Sequence, residues 1–251
     1  MKQEKREKKE TLIKIFEKIN KRFFPKLKNT NTNNLPFIIA FSGVPGSGKT
    51  TISKILEKKY KGVRIDNDEL RDIISDFSGN YKLTKKDKEI IIKIFKFSKK
   101  IYIKEMYDFS ENMIKNEVIL YKYQKWFLEN YPFKNKLLIL DSSIDRKYEM
   151  LLKILRKKMF KIFIIKLPFN KEMFLRRERK RNKDTSFFLK NIGRWKRDYD
   201  NLNKNVKVNF VFSNNLNELF VELNKYLTNQ FFNKIFEFSH TSFFSFSYSI
   251  S

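Results

Sequence analysis

The chain has 251 residues, enough for one large domain or two small ones, with no cysteine and a single histidine, His240. Those counts exclude a disulfide framework, thiolate-held zinc, iron–sulfur clusters, thiol catalysis and histidine-based triads. Lysine and arginine number 55 against 28 acidic residues, a formal charge of +27, yet lysine carries most of the excess, whereas selected phosphate contacts favour the planar fork of arginine. The charge therefore reads first as a solvated lysine surface, with a nucleic-acid surface as the alternative. No apolar run nears the ~18–20 residues of a membrane span. The charged start Met1 to Glu10 lacks the apolar core of a signal peptide, so a cytoplasmic location is expected.

Leu12, Phe16, Ile19 and Phe23 form one stripe of a 3.6-residue period, predicting an amphipathic helix over 1–24 that packs on the main domain. An Asn-rich, proline-ended stretch follows, so 1–35 is expected to be a basic helix plus linker. Phe37 to Phe41 reads as a buried strand. Directly after it, Gly43-Val44-Pro45-Gly46-Ser47-Gly48-Lys49-Thr50 fits G-x-x-x-x-G-K-[ST] in full, between a predicted strand and a predicted helix. Gly43, Gly46 and Gly48 let the backbone wrap a polyphosphate with its N–H groups inward, and the helix adds its partial positive charge. Lys49 reaches the outer phosphates in such loops, and the hydroxyl of Thr50 is placed to ligate Mg²⁺. A nucleoside triphosphate site follows, with ATP and Mg²⁺ as the expected ligands.

A second strand, Val63 to Ile65, ends in Asp66-Asn67-Asp68-Glu69-Leu70-Arg71. Acids at the carboxyl end of a strand beside a phosphate loop lie where α/β sheets bind ligands. Asp68 and Arg71 are three apart and share a helix face. They suit a proton acceptor and a phosphate contact, or else a helix cap with an ordinary surface pair. Residues 84–131 read as one or two inserted helices covering the acceptor side, opened by a capping-box-like Thr84-Lys85-Lys86-Asp87. Tyr121, Tyr123 and Trp126 within them read as core rather than as base-stacking platforms.

Leu137 to Asp141 is a third buried strand ending in an acid, the form of a metal-holding Walker B element; Ser142, Ser143 and Arg146 follow. After a fourth strand, 160–167, come Arg176, Arg177, Arg179 and Arg181. Arginines clustered in a lysine-preferring chain predict phosphate contacts, the alternative being a solvated helix face. Val206 to Phe212 is a fifth strand, followed by Asn214 and a helix from Leu216 to Leu227. The alternation predicts an α/β fold, a doubly wound parallel five-stranded sheet spanning 36–228, with the 84–131 helical insertion and a lid over 171–204. The serine- and aromatic-rich tail, 229–251, carries no chemistry.

With these elements in order, residues 36–227 resemble the P-loop kinase superfamily, within it the polynucleotide-kinase and zeta-toxin-like group of small ATP-dependent kinases. The resemblance rests on GVPGSGKTT, including Thr51, on D-x-x-R at Asp68 to Arg71, on LILDSSIDR and on the arginine cluster. It implies that Asp68 is the general base, that Arg71 is a phosphate or acceptor contact, and that Arg177 and Arg181 are lid arginines. It also implies that the loop at Asn214 meets the nucleotide base. The expected activity is transfer of the γ-phosphate of ATP–Mg²⁺ to a small-molecule hydroxyl. A kinase of nucleic-acid 5′-hydroxyl ends and a non-kinase NTPase or switch module are the alternatives.

Overall fold

The computed structural model describes residues 2–28, 37–79, 81–95, 111–130, 137–145, 148–149, 152–154, 161–180 and 185–228. Its elements in chain order are α1 (Lys2–Lys28), β1 (Phe37–Ser42), α2 (Lys49–Tyr60), β2 (Val63–Asp66), α3 (Asn67–Phe77), α4 (Lys85–Phe95), α5 (Glu111–Asn130) and β3 (Leu137–Ser143). Then follow β4 (Lys161–Lys166), α6 (Lys171–Lys180), α7 (Ser186–Asn205) and β5 (Phe210–Val211), with a last helix, α8, at 216–228. The strands form one sheet in the order β2-β3-β1-β4-β5, every pairing parallel. The fold is the expected α/β one. The tail 229–251 lies outside the described residues, as do Arg146 and Arg181.

Strand β1 explains why the sheet needs helices on both sides. Side chains alternate across a strand, and β1 is buried along its whole length. Phe37, Ile39 and Phe41 face a core built with Ile52 and Leu56 of α2 and Leu219 and Leu223 of α8. Ile38 and Ala40 face the other core, which contains Ile15 and Ile19, Leu70 and Ile74, and Val118 and Tyr123. A parallel sheet buried on both faces reads as continuous apolar runs, which is what this sequence shows.

Helix α1 belongs to that second layer. Ile15 and Ile19 are buried, and the ring of Phe16 lies 5.3 Å from Tyr123 and 5.5 Å from Trp126 of α5. Burying each isoleucine contributes roughly 1.5–3 kcal/mol, whereas the exposed Arg22–Glu69 pair at 2.9 Å contributes at most ~1 kcal/mol. The apolar stripe therefore fixes α1. Tyr123 is core, as expected, and its hydroxyl donates to Asn20 Oδ1 at 2.9 Å.

The fifth strand is shorter than the sequence suggests. Only Phe210 and Val211 pair with β4, because Val206 N–H closes the last turn of α7 on Leu202 O. Asn209 then grips Ile164 with both its backbone N–H and its side-chain oxygen, at 3.1 and 2.8 Å. A side chain stands where the ladder would otherwise continue.

The start of α4 holds the most buried charge. Thr84 and Asp87 form a reciprocal cap: Thr84 N–H donates to Asp87 Oδ2 at 2.8 Å, and Asp87 N–H donates to Thr84 Oγ1 at 3.2 Å. Tyr81 OH also donates to Asp87 Oδ2 at 2.8 Å, and Lys122 of α5 pairs with the same carboxylate. Asp87 is fully buried. Burial alone would raise its pKa, but the Lys122 contact and the Thr84 and Tyr81 donors outweigh it, so the pKa falls below the usual 3.8. A lowered folded-state pKa means the stabilisation is complete above the unfolded value and is lost as pH falls through the folded one. Asp87→Asn is expected to cost about 2–3 kcal/mol at neutral pH. In urea titrations between neutrality and pH 3, wild-type stability should fall more steeply than that of the variant, so that the gap narrows.

Candidate functional site

The phosphate loop, 43–48, joins β1 to α2 at the carboxyl edge of the sheet. Gly46 and Gly48 have φ of 77° and 102°, values that glycine adopts without steric cost. Gly48 stands at the N-cap of α2 and has no side-chain cap, and no acid occupies the first turn. The first N–H groups and positive end of α2 are thus left for an anion. Lys49 Nζ donates to Gly43 O at 2.9 Å and Val44 O at 2.7 Å, bracing the loop from within.

Thr50 and Asp141, the residues expected to hold metal, do meet: Thr50 Oγ1 donates to Asp141 Oδ1 at 3.2 Å. The register makes this possible. Strand β3 lies directly beside β1, so the acid at its end comes under the first turn of α2. The other oxygen, Oδ2, accepts from Arg64 Nη1 at 2.6 Å. That nitrogen also donates to Asp66 Oδ2 at 2.7 Å, while Arg64 Nε donates to Glu57 at 3.2 Å. Asp66 and Asp141 are register partners on β2 and β3. Burial pushes the Asp66 pKa up, but Arg64 and the backbone N–H groups of Asp68 and Glu69 bring it below its usual value.

Of the two arginines expected in a lid, the described one, Arg177, reaches back across the sheet edge and donates from Nη1 to Gly46 O at 2.9 Å. With Gly46, Ser47, Gly48, Thr51 and Asn214 it lines a cavity of about 490 Å³, walled on its apolar side by Ile52, Ile55, Phe212 and Leu216. That size suits a small-molecule ligand. Asn214 enters with φ 69°, a conformation asparagine tolerates better than most residues. The sequence-predicted residues Gly46–Gly48, Thr51, Arg177 and Asn214 therefore share one cavity.

Asp68 and Arg71 stand elsewhere, at the end of β2. Because β3 lies between β2 and β1, two strand spacings, roughly 10 Å, separate this pair from the phosphate loop. Arg71 Nη1 donates to Asp68 Oδ1 at 2.6 Å, and Arg71 Nε donates to Glu117 Oε1 of α5 at 2.8 Å. The cap of α3 is Asp66, whose side chain accepts from Asp68 N–H. The capping alternative for Asp68 is thus taken by its neighbour. Burial works against the Arg71 charge, but Glu117 and then Asp68 more than offset it, raising the pKa and keeping the guanidinium charged.

Three participants were not anticipated. Arg64 left a signal: an arginine within an apolar strand, two residues before Asp66 and so on the same face. Asp145 left a weaker one, as a second acid four residues after Asp141. It is buried, and its Oδ2 accepts from Gly43 N–H at 3.1 Å and from Ser143 Oγ at 2.7 Å, tying the loop after β3 to the phosphate loop. Glu117 left none, since nothing local on α5 says which turn faces Arg71.

These features define a P-loop nucleotide-binding fold. A protein-family comparison agrees over part of the chain: the family model for Zeta toxin matches residues 21–100, the segment from the end of α1 through β1, the phosphate loop and α3 into α4. No curated protein matches the chain significantly. Among solved structures, one from the PezAT chromosomal toxin–antitoxin system of Streptococcus pneumoniae is similar, with 15% identity, 78% of this chain and 76% of that chain covered, and a TM-score of 0.47. A candidate kinase from Chloroflexus aurantiacus is similar at 16% identity, with 59% of this chain and 66% of that chain covered and a TM-score of 0.36.

Lys49→Ala should remove most ATP–Mg²⁺ affinity, by ~30-fold or more, as expected for a cation facing phosphates. The melting temperature should move by no more than about 3 °C, because Lys49 braces the loop at Gly43 and Val44 rather than the packed core. Calorimetry and a melting curve on the same preparation test both halves.

Proposed function

We propose that the protein is an ATP-dependent phosphotransferase that moves the γ-phosphoryl group to a hydroxyl of a small-molecule acceptor. The observation that carries this reading is the position of Asp68. Its side chain is 86% exposed, is bonded to a guanidinium, and lies across the crevice from the phosphate loop with Asp141 between them. A nucleotide needs a cradle, but only a transfer to a hydroxyl needs a carboxylate facing solvent on the far side of the metal position.

The geometry supports a role for each residue. The loop N–H groups and the start of α2 hold the phosphates, and Lys49 offsets their charge. Arg177, already lying on the Gly46 carbonyl, covers the loop and excludes water; Arg181 is expected to act with it. Asn214 and the apolar wall of the cavity take the base. Thr50 and Asp141 offer hard oxygen donors of the kind Mg²⁺ prefers, and the ion, when bound, neutralises charge on the transferring group. Asp68 takes the proton of the acceptor hydroxyl, and Arg71, tethered by Glu117, holds Asp68 and a phosphate or acceptor group in register. The charge of +27 favours the second reading, a 5′-hydroxyl end of nucleic acid as acceptor.

The decisive experiment is transfer of labelled γ-phosphate from ATP onto pooled nucleosides, sugars, nucleotide sugars and 5′-hydroxyl oligonucleotides. A labelled small molecule is expected; a labelled oligonucleotide would favour the second reading, and ATP hydrolysis without any labelled acceptor a plain NTPase. With the acceptor found, Asp68→Asn should lower transfer by ~10²-fold or more while ATP affinity barely moves. Transfer at the wild-type rate would remove Asp68 from the chemistry. Arg177→Ala should lower turnover far more than it weakens ADP binding, since its counter-charge is the transferring group.

A further inference from the structure

Two carboxylates at the ends of neighbouring strands, one of them buried, are an unusual thing to set side by side. Asp66 and Asp141 are register partners on β2 and β3, and the Asp141 side chain is 2% exposed. Like charges this close repel strongly where water is excluded. A hard divalent cation is the ordinary remedy, because a pair of carboxylates supplies the oxygen ligands that Mg²⁺, Mn²⁺ or Ca²⁺ accept. In this chain an arginine stands there instead. Arg64, only 12% exposed, lies within hydrogen-bonding distance of both carboxylates through one nitrogen, Nη1, at 2.7 and 2.6 Å, while Nε is held by Glu57 at 3.2 Å. The guanidinium is thus fixed from three sides. It also divides the Asp141 carboxylate: Oδ2 is engaged by Arg64, and Oδ1 is left toward Thr50.

We infer that Arg64 is the resident counter-ion of the Asp66–Asp141 pair, holding the position a free divalent cation would take and leaving Asp141 a single oxygen for metal beside Thr50. One carboxylate oxygen and one hydroxyl are too few ligands to hold a divalent ion tightly. Metal then gains a firm site only when phosphate oxygens complete the set, so it enters with the nucleotide. That consequence rests on the phosphotransferase reading; the counter-ion role does not. Arg64 is accordingly a positioning residue, acting through Asp141.

The test is Mn²⁺ titration of the nucleotide-free protein, followed by the loss of the free-ion electron paramagnetic resonance signal. Wild type should bind no tighter than ~10⁻³ M, the weak end of oxygen-ligand sites. R64Q should tighten Mn²⁺ binding by roughly tenfold or more, as removal of a positive charge beside two carboxylates demands. R64Q/D66N, which keeps a competent cap on α3 but leaves only one of the two strand-end carboxylates, should return to near the wild-type value. Tight binding by wild type, an unchanged affinity in R64Q with an intact melting curve, or a double variant that binds like R64Q would each overturn the assignment. Should R64Q fail to fold, R64M carries the test: an uncharged side chain of similar length should tighten Mn²⁺ by a similar factor, and no change would count against the role. ATP–Mg²⁺ calorimetry on wild type is run alongside. Absence of nucleotide binding there would defeat the phosphotransferase reading while leaving the Mn²⁺ comparison fully readable.

Discussion

The crevice depends on β1 lying between β3 and β4 with every strand parallel. That arrangement sends the chain out of β1, β3, β4 and β5 on one edge of the sheet, so the phosphate loop, Asp141, the start of α6 and Asn214 emerge as neighbours although they span over 160 positions. It also sets their order. Strand β3 separates β1 from β2, and the acid at its end falls between the phosphate loop and Asp68. A sheet with β2 directly beside β1 would bring Asp68 against Thr50 and close the gap that Asp141 now occupies.

Charge is distributed along that edge in alternation. The α2 end is positive, Asp141 negative, Arg64 positive, Asp66 negative, and beyond them Asp68, Arg71 and Glu117 repeat the pattern. Buried carboxylates without partners would cost several kcal/mol each, and each of the three at the strand ends and at the start of α4 has a cation within reach. The lysine-rich exterior plays little part. Inside, Arg64 bonds both strand-end carboxylates at once, and Lys122 serves Asp87.

What the sequence shows and what it hides follow from the range of the interactions. The phosphate loop, the strand-ending acid at Asp141 and the reciprocal cap at Thr84 are local, so their residues are adjacent in sequence and could be recognised there. The continuous apolar runs disclosed a parallel sheet covered on both faces. The meeting of Thr50 with Asp141, 91 residues apart, could be expected only from the fold. Contacts that depend on the rotation of one helix against another, such as Glu117 with Arg71 or Gln124 with Asn67 at 2.7 Å, leave no trace in spacing. The fifth strand was over-read because β-branched and aromatic residues suggest pairing up to Val206, and only the side chain of Asn209 reveals where the ladder stops.

The stacking of Phe16 on Trp126 has an optical corollary. The chain has two tryptophans: Trp126 of α5, partly buried beside α1, and Trp195 of α7, buried. Two separate helices therefore each carry an intrinsic fluorophore in a different solvent environment, without any label. Replacing either one with phenylalanine would leave a spectrum in which the remaining emission reports on a single helix. Changes around either helix can therefore be followed, and timed, by intrinsic emission alone.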